Sequence, residues 1–126
     1  MPTPLEHYKQ GLGLYGQQKN EEAVEQFRKA LALKPDWLDA LHALATAQSK
    51  LGRHDEALAT IARVIELDPD DPFAYTSQSI FLQRKGLVPE AEAASAKARM
   101  AAWKKELKTN PNAPPPGPAG GMSVVQ

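Results

Sequence analysis

The hexapeptide LALKPD at residues 31–36 returns as IELDPD at 65–70, which sets Pro35 and Pro69 34 residues apart. The same interval joins Gly52 to Gly86. It also links Ala23, Ala57 and Ala91, each preceded by a glutamate. No other feature constrains the fold as much. A unit of this length cannot bury an apolar face alone, so successive units must stack into a one-dimensional array. The period is that of a helix–turn–helix unit.

Composition leaves this reading without a rival. A chain of 126 residues fits one domain with a modest core, and 42% hydrophobic against 24% charged residues is ordinary for a globular protein. Formal net charge is zero, which removes any overall electrostatic case for nucleic acid or a membrane surface. The absence of cysteine excludes disulfides, thiolate nucleophiles and Cys-ligated metals. No apolar run reaches spanning length, and the opening MPTPLEHYKQ lacks a basic-then-apolar leader pattern. We therefore expect no membrane insertion and a cytoplasmic protein. Charge is uneven along the chain: residues 1–71 hold 8 Lys/Arg against 12 Asp/Glu, and residues 72–126 hold 7 against 3. This is either scatter or a polarity that orients partners or copies.

Taken in order, the prolines at 2 and 4 block an earlier helix start, and Leu5, Tyr8, Leu12 and Tyr15 recur at helical spacing to about Gln17. Gly11, Gly13 and Gly16 weaken that helix in isolation and call for a closely packed neighbour. Asn20 is the expected N-cap of a second helix carrying Ala23, Val24, Phe27, Ala30 and Leu31, stopped before Pro35. Asp36 is the expected cap of the third, with Leu38, Leu41, Leu44, Ala45 and Leu51 inward and a left-handed Gly52 at its end. A fourth is built on Ala57, Leu58, Ile61, Val64 and Ile65. A fifth follows Asp70 or Asp71 and Pro72, with Phe73, Tyr75, Ile80 and Leu82, and ends at Gly86. The sixth opens at Pro89 and runs uninterrupted to about Lys108. Beyond it NPNAPPPGPAGGMSVVQ cannot build a core and reads as a disordered or polyproline tail.

These residues resemble the tetratricopeptide-repeat family over roughly residues 4–105. Gly11, Ala23, Phe27, Ala30 and Pro35 of the first unit fall where the family has small, aromatic and proline residues. Leu41, Leu44, Ala45, Ala57, Ile61 and Pro69 do so in the second. The third is degraded: Tyr75, Ser79, Leu82, Ala91 and Ala98 fit, but Ser95 replaces a large apolar residue and Trp103 stands where proline would. The resemblance implies an all-α, right-handed superhelical solenoid of three helix–turn–helix repeats, about 4–37, 38–71 and 72–105, within a domain 1–108, followed by a tail 109–126. It also implies a concave groove lined by the first helix of each pair, where a peptide or helix of another protein docks. Here that groove would show Leu5, Tyr8, Lys9, Leu12 and Tyr15, then Asp39, His42, Ala43, Thr46 and Lys50. The third unit would add Phe73, Thr76, Ser77, Ile80 and Arg84. Tyr8, Tyr15 and Phe73 read equally as ligand anchors or as packing between helices. One subset of the family grips a carboxylate with lysines, asparagines and an arginine. The corresponding positions here hold Tyr8, Leu12, Ala43, Phe73 and Ser77, none of which makes charge-assisted contacts, so the resemblance points to a more apolar ligand.

Residues with chemistry read as structural. His7, His42 and His54 carry no metal-ligand spacing, no nucleophile–base set survives a helical array, and the glycines follow no strand. We expect no catalytic residues, no metal and no cofactor. The last helix offers a second surface: an alanine stripe including Ala94 and Ala98, with Met100, Trp103 and Leu107 beyond it, is a candidate for self-association into a homodimer. Its lysines lack aromatic interleaving, which argues against nucleic acid. The expectation is a non-catalytic module that docks a partner segment at Leu5, Tyr8, Lys9, Leu12, Tyr15, His42, Thr46, Phe73, Ser77, Ile80 and Arg84, as adaptor, scaffold or small accessory subunit. The alternative is a self-associating assembly protein.

Overall fold

Six α-helices make up the regular structure of the described residues: α1 Pro4–Gly16, α2 Asn20–Leu33, α3 Leu38–Lys50, α4 His54–Leu67, α5 Pro72–Lys85 and α6 Val88–Thr109. They are seen in a computed structural model that describes residues 2–117, and no strand occurs among the described residues. The period seen in the sequence is carried by the helix boundaries. α1, α3 and α5 begin at residues 4, 38 and 72, and α2, α4 and α6 at residues 20, 54 and 88.

Two unlike cap chemistries start α1 and α5. The Thr3 hydroxyl accepts from Glu6 N–H at 3.1 Å while the Glu6 carboxylate accepts from Thr3 N–H at 2.8 Å, a reciprocal capping box that sequence inspection missed. Those bonds to Thr3 hold the Glu6 carboxyl below its ordinary value. At α5, Asp71 rather than Asp70 is the cap, accepting from Phe73 N–H at 2.9 Å, with Pro72 in the first turn.

Two expected caps fail. Lys19, not Asn20, precedes α2. Asn20 is already helical, and its Oδ1 is buried without a partner. Trp37, not Asp36, precedes α3; Asp36 lies one residue too early and instead accepts from Arg63 at 2.7 Å. The start of α3 has no side-chain cap bond, so packing rather than capping sets its boundary.

The turn inside each pair is one left-handed residue: Gln18 at φ 64, Gly52 at φ 78 and Gly86 at φ 90. In each, the following N–H reaches back five residues, from Lys19 to Leu14, Arg53 to Gln48 and Leu87 to Leu82, at 2.9–3.0 Å. This closes the helix end as a Schellman motif does. Glycine adopts the conformation freely; Gln18 does so at a cost of about 1 kcal/mol.

The described chain falls into two compact units, divided between Leu67 and Asp68. In the first, α1 packs on α2 and α3 on α4, and α3 also packs against both α1 and α2. Its core holds Ala23, Val24, Phe27, Leu44 and Ala47, with Tyr8, Leu14, Tyr15, Leu31, Ala43 and Leu51 around it. Phe27, Ile61 and Val64 are the largest fully buried side chains. Burying each contributes roughly 1.5–3 kcal/mol. A methyl group at Gly11 would meet the Phe27 ring within 2.6 Å at Cδ1, which is why this helical position carries no side chain. Exposed pairs Arg53–Glu21, Arg28–Glu56 and Arg63–Glu66 add little.

In the second unit α5 and α6 pack together, and Ala74, Ser79 and Phe81 of α5 and Ala91, Ala94, Ala98 and Ala101 of α6 are buried. The Ser79 hydroxyl donates to the Ala91 carbonyl at 2.7 Å and ties the helices directly. After α6 the chain turns at Asn110, buries Ala113, and its carbonyl accepts the Trp103 indole N–H at 3.0 Å. The expected disordered tail is thus corrected for 110–113, where Ala113 is buried and its carbonyl holds the indole N–H. Residues 118–126 of that expectation lie outside the described residues.

Candidate functional site

The first face to consider is formed in the first unit by α1 and α3. Leu5, Tyr8, Lys9 and Leu12 recur at three- and four-residue spacing on α1, so they share one side of the helix. Leu5 and Leu12 are 49% and 42% exposed, and Lys9 is exposed. Tyr8, between them, is half-buried: its ring stands 4.8 Å from that of Trp37 and 6.0 Å from that of Phe27. The Lys34 ammonium lies 4.8 Å from the Trp37 ring centroid, on the α2–α3 connection. Burial pushes the Tyr8 phenol above its usual 10.0, and the nearby Asp39 carboxylate adds to the shift. Of the two readings of this residue, packing therefore accounts for most of its surface. Tyr15 also packs against the core rather than presenting a free ring.

On α3, His42 and Thr46 are half-buried, and the Thr46 hydroxyl donates to the His42 carbonyl at 2.9 Å. That bond satisfies the hydroxyl within its own helix. His7 Nδ1 lies 2.9 Å from Gln26 Oε1 on α2. Among the described residues no group of three or more His, Cys, Asp or Glu is placed to hold a metal ion.

The second unit carries its own exposed row. Phe73, Ser77, Ile80 and Arg84 share one side of α5, with Phe73 at 74% and Ile80 at 41% exposure. Nothing packs the Phe73 ring into the core; Phe81 fills that role.

The proposed association surface on α6 does not exist as a continuous patch. Ala94 and Ala98 are buried in the packing with α5, and Trp103 is engaged by Ala113. Leu107 is half-buried, which leaves Met100 as the exposed member. The alanine stripe is therefore buried for the most part.

A feature that sequence inspection did not assemble lies beside Met100. An open cleft of about 240 Å³ is bounded by Pro69 and Tyr75 on one side and by Ala96, Met100 and Ala101 on the other, with Asp70, Lys97 and Lys104 around it. The Tyr75 hydroxyl donates to the Pro69 carbonyl at 2.7 Å, which fixes one wall.

Antiparallel helix pairs starting 34 residues apart, each closed by a left-handed turn, define an all-helical repeat protein. The chain belongs to the tetratricopeptide repeat family, whose model matches residues 14–77, just over half of its length. Human tetratricopeptide repeat protein 13 is 34% identical over 86 residues, which cover 64% of this chain and 9% of that protein. The fold is similar to the crystal structure of MamA, with a TM-score of 0.78 and 26% identity over 82% of this chain and 61% of that one. The Yersinia enterocolitica type III secretion chaperone SycD, solved in complex with a peptide of the translocator YopD, is also similar. Its TM-score is 0.73 and its identity 23%, over 82% of this chain and 79% of that one. The chain thus spans only a small part of the human relative and about three fifths of MamA. No described helix is long and apolar enough to cross a membrane.

Proposed function

We propose that this chain is a non-catalytic protein-interaction module, an adaptor or small accessory subunit, arranged as a three-unit solenoid over residues 1–108. In this reading a partner's peptide or helix docks on the α1–α3 face of the first unit; the exposed α5 row of the second unit is a separate candidate surface. The observation that carries it is the pair Leu5 and Leu12: two large aliphatic side chains left 49% and 42% exposed on one side of α1, flanking an aromatic ring held in place by Phe27 and Trp37. Exposed apolar groups beside a rigid aromatic suit an apolar ligand segment, because little entropy is lost on docking. Lys9, Tyr15, His42 and Thr46 would border that segment, and Phe73, Ser77, Ile80 and Arg84 would do the same for the second row. Peptide binding by SycD lends the reading support by analogy. We also propose that the protein is cytoplasmic.

Self-association through the end of α6 is the weaker reading, because its aromatic member is engaged within the chain. The test of the favoured reading is capture of a partner from native extract by the intact protein, with Leu5→Asp/Leu12→Asp as the control. Both residues are exposed, so the variant should keep its helical circular dichroism while losing the partner. Equal capture by the folded variant would refute the α1–α3 face as the working surface.

A further inference from the structure

The cleft on the second unit faces a different direction from the α5 row. Tyr75 stands two residues from both Phe73 and Ser77, so it projects from the opposite side of α5, and its hydroxyl is committed to Pro69. The cleft's volume of about 240 Å³ falls below the roughly 300–1,000 Å³ of small-molecule sites, but it accommodates one anchoring side chain. Its lining is suited to such an anchor: the Met100 thioether chain adapts its shape, and the methyl groups of Ala96 and Ala101 leave room.

Charge then selects the occupant. Lys97 and Lys104 border the cleft from α6, both exposed, and among the described residues neither has an ion pair. They lie seven residues apart, about 10.5 Å along the helix. Asp70 lies at the cleft from the α4–α5 connection, so an acidic ligand is drawn to the α6 side, and Asp70 is left to accept a backbone N–H. An extended peptide with an aliphatic anchor and an acid two positions to either side presents all three side chains on one face, the acids about 13 Å apart. The flexible four-carbon stems of the lysines absorb the difference.

We propose that this cleft is a second docking site, separate from the α1–α3 face, for an extended acidic segment of a partner protein of the pattern acid–x–aliphatic–x–acid. The aliphatic side chain enters between Tyr75 and Met100, and the acids pair with Lys97 and Lys104.

The test uses the full chain and a fluorescein-labelled, terminally blocked peptide Ser-Glu-Thr-Leu-Thr-Glu-Ser, read by anisotropy at low salt. Binding is expected in the submillimolar range, weakened roughly tenfold or more by K97E/K104E and by Met100→Glu, and weakened by added salt. Leu5→Asp/Leu12→Asp, the variant that tests the α1–α3 face, and Phe73→Ser/Ile80→Ser should both leave it unchanged, so failure here and failure of the α1–α3 reading are separable. The altered residues are exposed, and circular dichroism checks that each variant is folded. Absence of binding at millimolar protein, binding that survives K97E/K104E, or loss of binding in Phe73→Ser/Ile80→Ser would overturn the proposal. A concentration-dependent doubling of mass abolished by K97E/K104E, without peptide binding, would assign the cleft to a second copy and equally overturn it.

Discussion

Replacing Gly11 by alanine should destabilise the protein although alanine is the better helix former. The new Cβ would lie 2.6 Å from Phe27 Cδ1 and closer still to Cε1, where carbon atoms prefer about 3.5–4.0 Å. Phe27 is fully buried, so its ring cannot swing into solvent to make room. Overpacking of this kind costs about 1–3 kcal/mol, and the clash with a confined ring belongs at the upper end. The gain from removing a helical glycine is about 1 kcal/mol. The net expectation is a loss of about 1–2 kcal/mol. Gly13, two residues on in the same helix, has nothing within 4 Å of an added Cβ, so Gly13→Ala should gain about 0.5–1 kcal/mol. Urea denaturation of the two variants should therefore shift the midpoint in opposite directions. A repair is available from within the chain. The positions 34 residues after Gly11 and Phe27 are Ala45 and Ile61, both fully buried. Gly11→Ala/Phe27→Ile should consequently be more stable than the sum of its single effects, with a coupling of about 1 kcal/mol. If Gly11→Ala proves as stabilising as Gly13→Ala, or the double variant is merely additive, the close contact is not what excludes a side chain at position 11.

Four other expectations can be checked directly. Gln18→Gly should raise stability by about 1 kcal/mol in thermal melts by relieving a left-handed glutamine, and Gly52→Ala should lower it by a similar amount. Because the fold raises the Tyr8 phenol above 10.0, its neutral form is favoured in the folded state. That contribution is present in full below pH 10 and is lost as pH rises through the folded value. Comparing urea midpoints of the native protein and Tyr8→Phe at pH 9 and 11 should show a steeper decline for the native chain. Tyr8→Ala should lose about 3 kcal/mol through its contacts with Phe27 and Trp37, so lost partner capture in that variant would reflect unfolding as much as recognition. Ala113→Asp should expel the covering segment, cost about 1–2 kcal/mol and shift Trp103 emission to the red.

The period legible in Pro35/Pro69 and Gly52/Gly86 carried most of the fold, because it fixes helix length, turn position and packing interval together. It reached further than inspection took it: the interval run back from Gly52 lands on Gln18, whose residue type hides the left-handed turn that its position announces. Capping was less readable. Asn20 and Asp36 are good local caps, yet helix starts follow packing, which places Lys19 and Trp37 at the boundary. On α5 the apolar residues surround the helix, so periodicity could not tell exposed Phe73 from buried Phe81. The candidate site was readable as a set of exposed positions on α1 and α5. The engagement of Tyr8 depends on Trp37 across another connection, and that of Trp103 on a lone alanine in a proline-rich stretch. The α6 cleft depends on a loop brought to a helix some thirty residues later. None of these follows from local spacing.

The matched sizes across each helix pair bear on how such a chain can be rearranged in evolution. A bare backbone faces a phenyl ring in the first pair, and the corresponding positions of the second hold an alanine and an isoleucine, both fully buried. Joining α1 to α4 would open a void where the ring had been, and joining α3 to α2 would drive a methyl group into it. The tight left-handed turns look like natural points of exchange, but they are the wrong places to cut. Viable crossovers fall in the connections between pairs, at Pro35 and Pro69, so a pair of helices rather than a single helix is the smallest heritable piece that can be shuffled intact.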